Sequence, residues 1–188
     1  MRTHLRIVAG SLRGRKLTCT VNVNLRPTPQ MVREALFSIL GNAVPDRQFF
    51  DIFAGTGVVG LEALSRGASQ SIFVERDFQL AGEIEKQLRT FGLFKQSRIY
   101  RTDTYRWIAA WKPPLEPVNV FLSPPFADLT AQSEELLKAL TTLQEKVATE
   151  SVLVLQGERD SAVESHPALT HWEKRTYGRN VLFIWQKE

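Results

Sequence analysis

The stretch Asp51-Ile-Phe-Ala-Gly-Thr-Gly-Val-Val-Gly60 decides how this chain folds. Phe49 to Phe53 has the length and apolar character of a buried strand. Leu61 and Leu64, with the alanine between them, follow at helical spacing up to Arg66-Gly67, a helix stop signal. Strand, glycine turn and helix, in that order, form the unit with which a parallel sheet receives a nucleoside. Gly55, Gly57 and Gly60 also satisfy G-x-G-x-x-G, where glycines permit a tight turn and close approach of a ligand to backbone amides. A triphosphate loop fits less well still, because Leu61-Glu62 stands where its lysine and hydroxyl belong. Three readings compete at the turn: the pyrophosphate of a dinucleotide, the amino-acid half of S-adenosylmethionine, and plain helix–sheet packing.

The next strand, Ser71 to Val74, ends at Glu75, 18 residues after Gly57 and near the spacing at which an acid bonds ribose hydroxyls. Both adenosine cofactors carry that ribose. Asp51 separates them, since a carboxylate repels pyrophosphate but reaches the cationic amino group of a methionine moiety, directly or through water. The Leu122-Ser-Pro-Pro-Phe126 turn after the fourth strand points the same way, because a dinucleotide site has no use for it.

Outward from this core the chain alternates. Helix is predicted from Phe78 to Phe91, strand from Ser97 to Arg101, helix from Thr104 to Trp111 and strand from Val118 to Leu122. Such alternation implies a parallel sheet. A helix over Thr130 to Ala148 and a strand over Ser151 to Gln156 follow, then two strands around Tyr177-Gly-Arg-Asn180 that read as an antiparallel hairpin. Upstream, Pro29 opens a helix through Leu40, closed by Gly41-Asn42, with Val32, Ala35, Leu36 and Ile39 on one face. Leu5 to Ala9 and Lys16 to Val23 read as two strands around Gly10 and Gly14.

Charge is concentrated in one segment. Residues 1–33 hold Arg2, Arg6, Arg13, Arg15, Lys16, Arg26 and Arg33 and no acid, which gives +7 there and −3 over the remainder. A basic arm of this kind contacts phosphates, and a solvated basic face is the blander alternative. At 188 residues and 43% apolar content the chain fills one domain, with no room for the second domain of a typical dinucleotide enzyme. No window approaches the ~18 uninterrupted apolar residues of a membrane span. Cys19 stands alone, and His4, His166 and His171 lack metal-ligand spacing, so no metal is expected and a reduced cytoplasm is the simplest home.

Arg26-Pro-Thr28, Val32-Arg-Glu-Ala-Leu-Phe37, the Asp51 to Gly57 turn and Gly60-Leu-Glu-Ala-Leu-Ser-Arg-Gly-Ala68 together resemble the bacterial 16S rRNA guanine-N2 methyltransferases of the RsmD type. Arg6 to Leu17 and Tyr177-Gly178 extend the resemblance over most of the chain. It implies a class I methyltransferase (Rossmann-like) α/β fold: a mixed seven-stranded sheet with an antiparallel C-terminal hairpin. A basic β-hairpin extension over residues 1–25 would precede the methyltransferase domain at 26–188. The donor it implies is S-adenosylmethionine, held by Asp51, Phe53, Gly55, Gly57, Glu75, Arg76, Asp103 and Thr28. Asp103 and Thr28 have ordinary alternatives, as a helix N-cap and a capping turn. The acceptor it implies is a guanine of 16S rRNA or of the assembling small subunit, bound by a monomer through Arg13, Arg15, Lys16 and Arg26.

The family's catalytic turn is usually Asp-Pro-Pro-Phe or Asp-Pro-Pro-Tyr, and here Ser123 takes the first position. The resemblance assigns catalysis to Ser123 and the Pro124 carbonyl as acceptors for the amine, with Phe126 stacking on the base. A serine hydroxyl accepts a hydrogen bond but is shorter, neutral and also a donor. Three roles for it stay open: a weakened but sufficient acceptor, loss of catalysis with RNA binding retained, or replacement by a neighbour such as Asp128.

Overall fold

The computed structural model describes residues 2–20 and 25–188. Nine strands and five α-helices are found there: β1 (Arg2–Arg6), β2 (Lys16–Thr20), α1 (Gln30–Leu40), β3 (Gln48–Ile52), α2 (Val58–Ser65), β4 (Gln70–Val74), α3 (Phe78–Thr90), β5 (Ser97–Tyr100), α4 (Thr104–Ala110), β6 (Val118–Leu122), α5 (Ser133–Lys146), β7 (Val152–Glu158), β8 (Glu173–Tyr177) and β9 (Asn180–Gln186). β1 and β2 pair as an antiparallel hairpin, and the other seven strands form one sheet in the order β5-β4-β3-β6-β7-β9-β8. Pairing is parallel from β5 to β7 and antiparallel through β9 and β8. This is the class I methyltransferase architecture, with its antiparallel C-terminal hairpin.

Alternating side chains serve two cores, as a sheet covered on both faces requires. Phe49, Phe73, Phe121 and Val154 join one core with Val32, Leu36 and Phe37 of α1, Val58 and Leu61 of α2 and Ile84 of α3. Phe50, Ile52, Val74, Val120 and Leu153 face the other, with Trp107 of α4 and Leu136, Leu140 and Leu143 of α5. Trp107, Trp111 and Phe50 meet there at ring separations of 4.8–6.0 Å.

The hairpin shares the first core through Ile7, Leu12 and Leu17. Its first strand ends at Arg6 rather than running to Ala9, because the residues after Ile7 turn toward the end of α2: the Ser65 hydroxyl donates to Ala9 O at 2.6 Å, and the Leu12 N–H donates to Ser65 Oγ at 2.9 Å. Of the predicted second strand, Lys16–Thr20 is present, and residues 21–24 lie outside the described part. Thr20 is fastened to α3, its N–H and hydroxyl both donating to Glu83, at 3.0 and 2.7 Å. α5 begins at Ser133, later than predicted, because 127–132 close a tighter turn in which the Leu129 N–H donates to Phe126 O and the Gln132 N–H to Ala127 O.

Arg33 departs from its reading as part of the basic surface. It is 2% exposed, its Nε bonds Glu62 at 3.0 Å, and its remaining nitrogens donate to Thr28 O and Arg6 O. One buried guanidinium thus ties the hairpin, the segment before α1 and α2 together. Removing one partner of such a pair typically costs about 3–5 kcal/mol, since the other charge is left buried.

Candidate active site

Strand order reverses between β3 and β6: the chain runs outward through β4 and β5 and then returns to the other side of β3. Ligands of open α/β sheets gather outside the carboxyl ends of the strands at such a switch point. The residues ending β3, β4 and β6 therefore face the expected ligand position.

Asp51, 1% exposed, lies near the end of β3 and accepts a 2.9 Å hydrogen bond from the Gly60 N–H. Burial pushes its carboxyl up to about 8, against the bond from Gly60, and the nearby Glu75 charge adds to the rise. Glu75, just past β4 and 8% exposed, accepts from the N–H groups of Gly55 and Asp77, both at 2.8 Å. The glycine turn is thus held between carboxyls from two adjacent strands. Gly57 sits at φ +71°, and a Cβ there would come 2.8 Å from Ile84. Gly60 is required for close packing, since its Cβ would stand 2.3 Å from the Phe73 ring.

Phe53, half-buried at φ +60°, meets the Tyr105 ring edge-on at 5.7 Å. Asp103 caps α4, accepting from the Arg106 N–H at 3.0 Å. Arg76, next in sequence to Glu75, is exposed. Among the described residues no basic side chain pairs with Asp51 or Glu75. Each carboxylate keeps free accepting positions beyond the one or two bonds it makes. Two buried, cation-less carboxyls around an N–H-rich turn suit a ligand that brings an ammonium group and ribose hydroxyls.

Ser123 follows β6, and its N–H donates to Ile52 O at 3.1 Å, which sets it beside the end of β3. Pro124 is buried, whereas Phe126 is 58% exposed, an aromatic side chain open to solvent. Asp128, 6% exposed, anchors the turn by accepting from the Tyr105 hydroxyl. Burial and that bond raise the tyrosine phenol well above its ordinary value. The Ser123 hydroxyl donates to Gln156 Oε1 at 3.4 Å; the same oxygen accepts from Thr28 Oγ1 at 2.8 Å, and Gln156 Nε2 donates to Asn180 Oδ1 at 2.9 Å.

Sequence reasoning missed Gln156, Asn180 and Tyr105. The register offers the signal for Gln156: Leu122 pairs with Leu155, so the next residues, Ser123 and Gln156, are neighbours at the ends of parallel strands. Thr28, expected among the cofactor contacts, joins this cluster.

Arg13, Arg15 and Lys16 are all exposed on the hairpin, with Arg15 stacked 5.7 Å over Phe91. Arg26 is 79% exposed and only loosely paired with Glu158, at 4.0 Å. A cleft of about 630 Å³ opens between the hairpin and the segment before α1, lined in part by Arg6, Arg26 and Thr28. Arg6 and Arg26 thus share a cleft with Thr28 of the Ser123 cluster, whereas Arg13, Arg15 and Lys16 lie outside its lining.

A family described as conserved hypothetical protein 95 matches residues 5–186. The ribosomal RNA small subunit methyltransferase D of Escherichia coli is 31% identical over 190 aligned residues, covering 98% of this chain and 90% of that protein. Among solved structures, a hypothetical protein of Thermus thermophilus superposes with a TM-score of 0.77 at 34% identity, covering 97% of this chain and 99% of that one. The T. thermophilus 16S rRNA N2 G1207 methyltransferase, in complex with AdoMet and guanosine, shares the fold alone: TM-score 0.74 at 18% identity, over all of this chain and 50% of that one. With nearly its whole length matched, this chain belongs to the conserved hypothetical protein 95 family, the RsmD family of methyltransferases.

Proposed function

We propose that this protein transfers a methyl group from S-adenosylmethionine to the exocyclic N2 amine of a guanine in small-subunit 16S rRNA. The observation that carries the proposal is the Ser123–Phe126 turn, an exposed aromatic and a set of acceptors standing beside the buried carboxyls of β3 and β4. The RsmD relatives support the acceptor class, and their names supply the small subunit.

Asp51 takes the ammonium group and Glu75 the ribose hydroxyls, with Gly55 and Gly57 letting the turn approach closely. Phe53, Asp103, Arg76 and Thr28 complete the surround. When bound, S-adenosylmethionine supplies an electrophilic methyl on a sulfonium, whose C–S bond breaks with its electron pair passing to sulfur. The protein's part is positioning, by which alignment of reacting groups alone can remove much of a barrier. Arg13, Arg15, Lys16 and Arg26 hold phosphates, and the guanine, unstacked from its helix as enzymes acting on bases require, stacks on Phe126. Its amine is a poor nucleophile until acceptors hold its protons; Ser123 Oγ and the Pro124 carbonyl do so. The nitrogen then forms the new N–C bond and releases one proton to water.

Of the roles open to Ser123, the weakened acceptor is the one we keep. Asp128 is buried and accepts from Tyr105, which gives it the part of an anchor for the turn. The test is transfer of labelled methyl to small subunits that lack the modification, followed by mapping. Label on a guanine N2 is expected; no label, with cofactor binding verified in the same sample, would leave a silent RNA-binding relative.

A further inference from the structure

A serine in place of the family's aspartate raises a chemical difficulty that the structure itself answers. An ionised aspartate is only an acceptor, whereas a serine hydroxyl carries one proton and two lone pairs. If its proton faced the guanine amine, two donors would meet and the turn would repel its substrate. The hydroxyl must be made an acceptor on that side.

We infer that Gln156 is a positioning residue that accepts the hydrogen bond of the Ser123 hydroxyl and so commits the Ser123 lone pairs to the substrate amine. The inference rests on the guanine-N2 reading above. Gln156 Oε1 accepts from Ser123 Oγ at 3.4 Å. The amide is held in that orientation from both ends, because Thr28 Oγ1 donates to the same oxygen at 2.8 Å and Nε2 donates to Asn180 Oδ1 at 2.9 Å. Thr28 is itself fixed, its carbonyl accepting from the buried Arg33 at 2.7 Å. Asn180 opens β9 opposite Glu158, two residues beyond Gln156 on β7. Three separate parts of the chain thus converge on one amide and aim its carbonyl oxygen at the hydroxyl. The arrangement suits serine specifically: an aspartate there would set a carboxylate against the same carbonyl, acceptor against acceptor.

The experiment is a double-mutant cycle on methyl transfer to small subunits, with Gln156→Leu placed in the wild-type, Ser123→Ala and Ser123→Asp backgrounds. In the wild type we expect kcat to fall roughly 2- to 5-fold, the lower part of the range for a hydrogen bond, since 3.4 Å is long for one between two oxygens, with the KM for RNA unchanged. Gln156→Glu, which keeps an acceptor oxygen, should restore most of the rate. Neither Ser123 variant should lose further rate on Gln156→Leu, because Ala has no hydroxyl and Asp no proton to place. The same cycle in thermal unfolding of the cofactor-free protein reads the bond without activity, and a non-zero coupling between Ser123 and Gln156 is expected there.

An equal loss in all three backgrounds, a loss confined to KM, or zero coupling in unfolding would overturn the positioning role of Gln156 and leave the methyl-transfer reading standing. Absence of guanine-N2 methylation by the wild type would overturn that reading and the positioning role with it.

Discussion

The two sides of the site stand on adjacent strands and are built in opposite ways. On the β3–β4 side, Asp51 and Glu75 are buried, charge-capable and clamped by backbone N–H groups of the glycine turn. On the β6–β7 side, Ser123 and Gln156 are neutral, half-buried and oriented by other side chains, with Phe126 open to solvent. The difference follows from what each side must hold. A cationic ligand of constant shape rewards a rigid, desolvated carboxyl, since a charge-assisted bond in a dry site is strong. A base swung out of a folded RNA needs an open aromatic face and neutral acceptors that cost little to desolvate.

The sharpest way to break this contrast is at Asp51. Asp51→Asn should weaken S-adenosylmethionine binding by roughly 10²–10³-fold, as loss of one member of a buried charge pair does, read by calorimetry. Unchanged affinity would remove the charge argument from the β3 side.

Phe126→Ala tests the other side. Stacking of a base on an aromatic ring is worth about 1–3 kcal/mol, so the KM for RNA should rise while cofactor affinity holds. A fall in cofactor affinity would mean that the two sides are not separable.

Protons provide a finer test, because Asp51 has its carboxyl raised to about 8 while Ser123 does not titrate. In the unfolded chain an aspartate titrates at about 3.9, so the folded state binds the proton more tightly. Asp51's contribution to stability is therefore full below about pH 3.9 and is lost as pH rises through about 8. Asp51→Asn should flatten the pH dependence of Tm across that window. Cofactor binding at neutral pH should release a proton, detectable as buffer-dependent binding heat, and the variant should release none.

The smallest expected effect lies outside both sides. Lys16→Ala removes one exposed cation and should reduce the salt slope of RNA binding by about one unit, with kcat intact. No change in slope would mean that Lys16 meets solvent rather than phosphate.

Most of the first side was legible in the sequence. Apolar runs of strand length, glycines at turn spacing and an acid 18 residues downstream are local signals, and local signals survive without coordinates. Glu75 bonds Gly55 and Asp51 bonds Gly60 across the turn. Little of the second side could be read so. Ser123 and Gln156 are 33 residues apart and Thr28 and Gln156 are 128 apart, and only strand register and the docking of the segment before α1 bring them together. Arg33 failed for the same reason: a charge in a basic run looks solvated until its partner, Glu62 of α2, is seen beneath it.

The sequence by itself determined the alternation of strand and helix, the glycine turn with its carboxyls and the basic arm, because periodicity, turn chemistry and charge act over a few residues. The tertiary structure alone decided which basic residue is buried, where the hairpin stops and which amide faces Ser123. Those outcomes depend on burial and on hydrogen bonds between distant segments, and no local pattern encodes them.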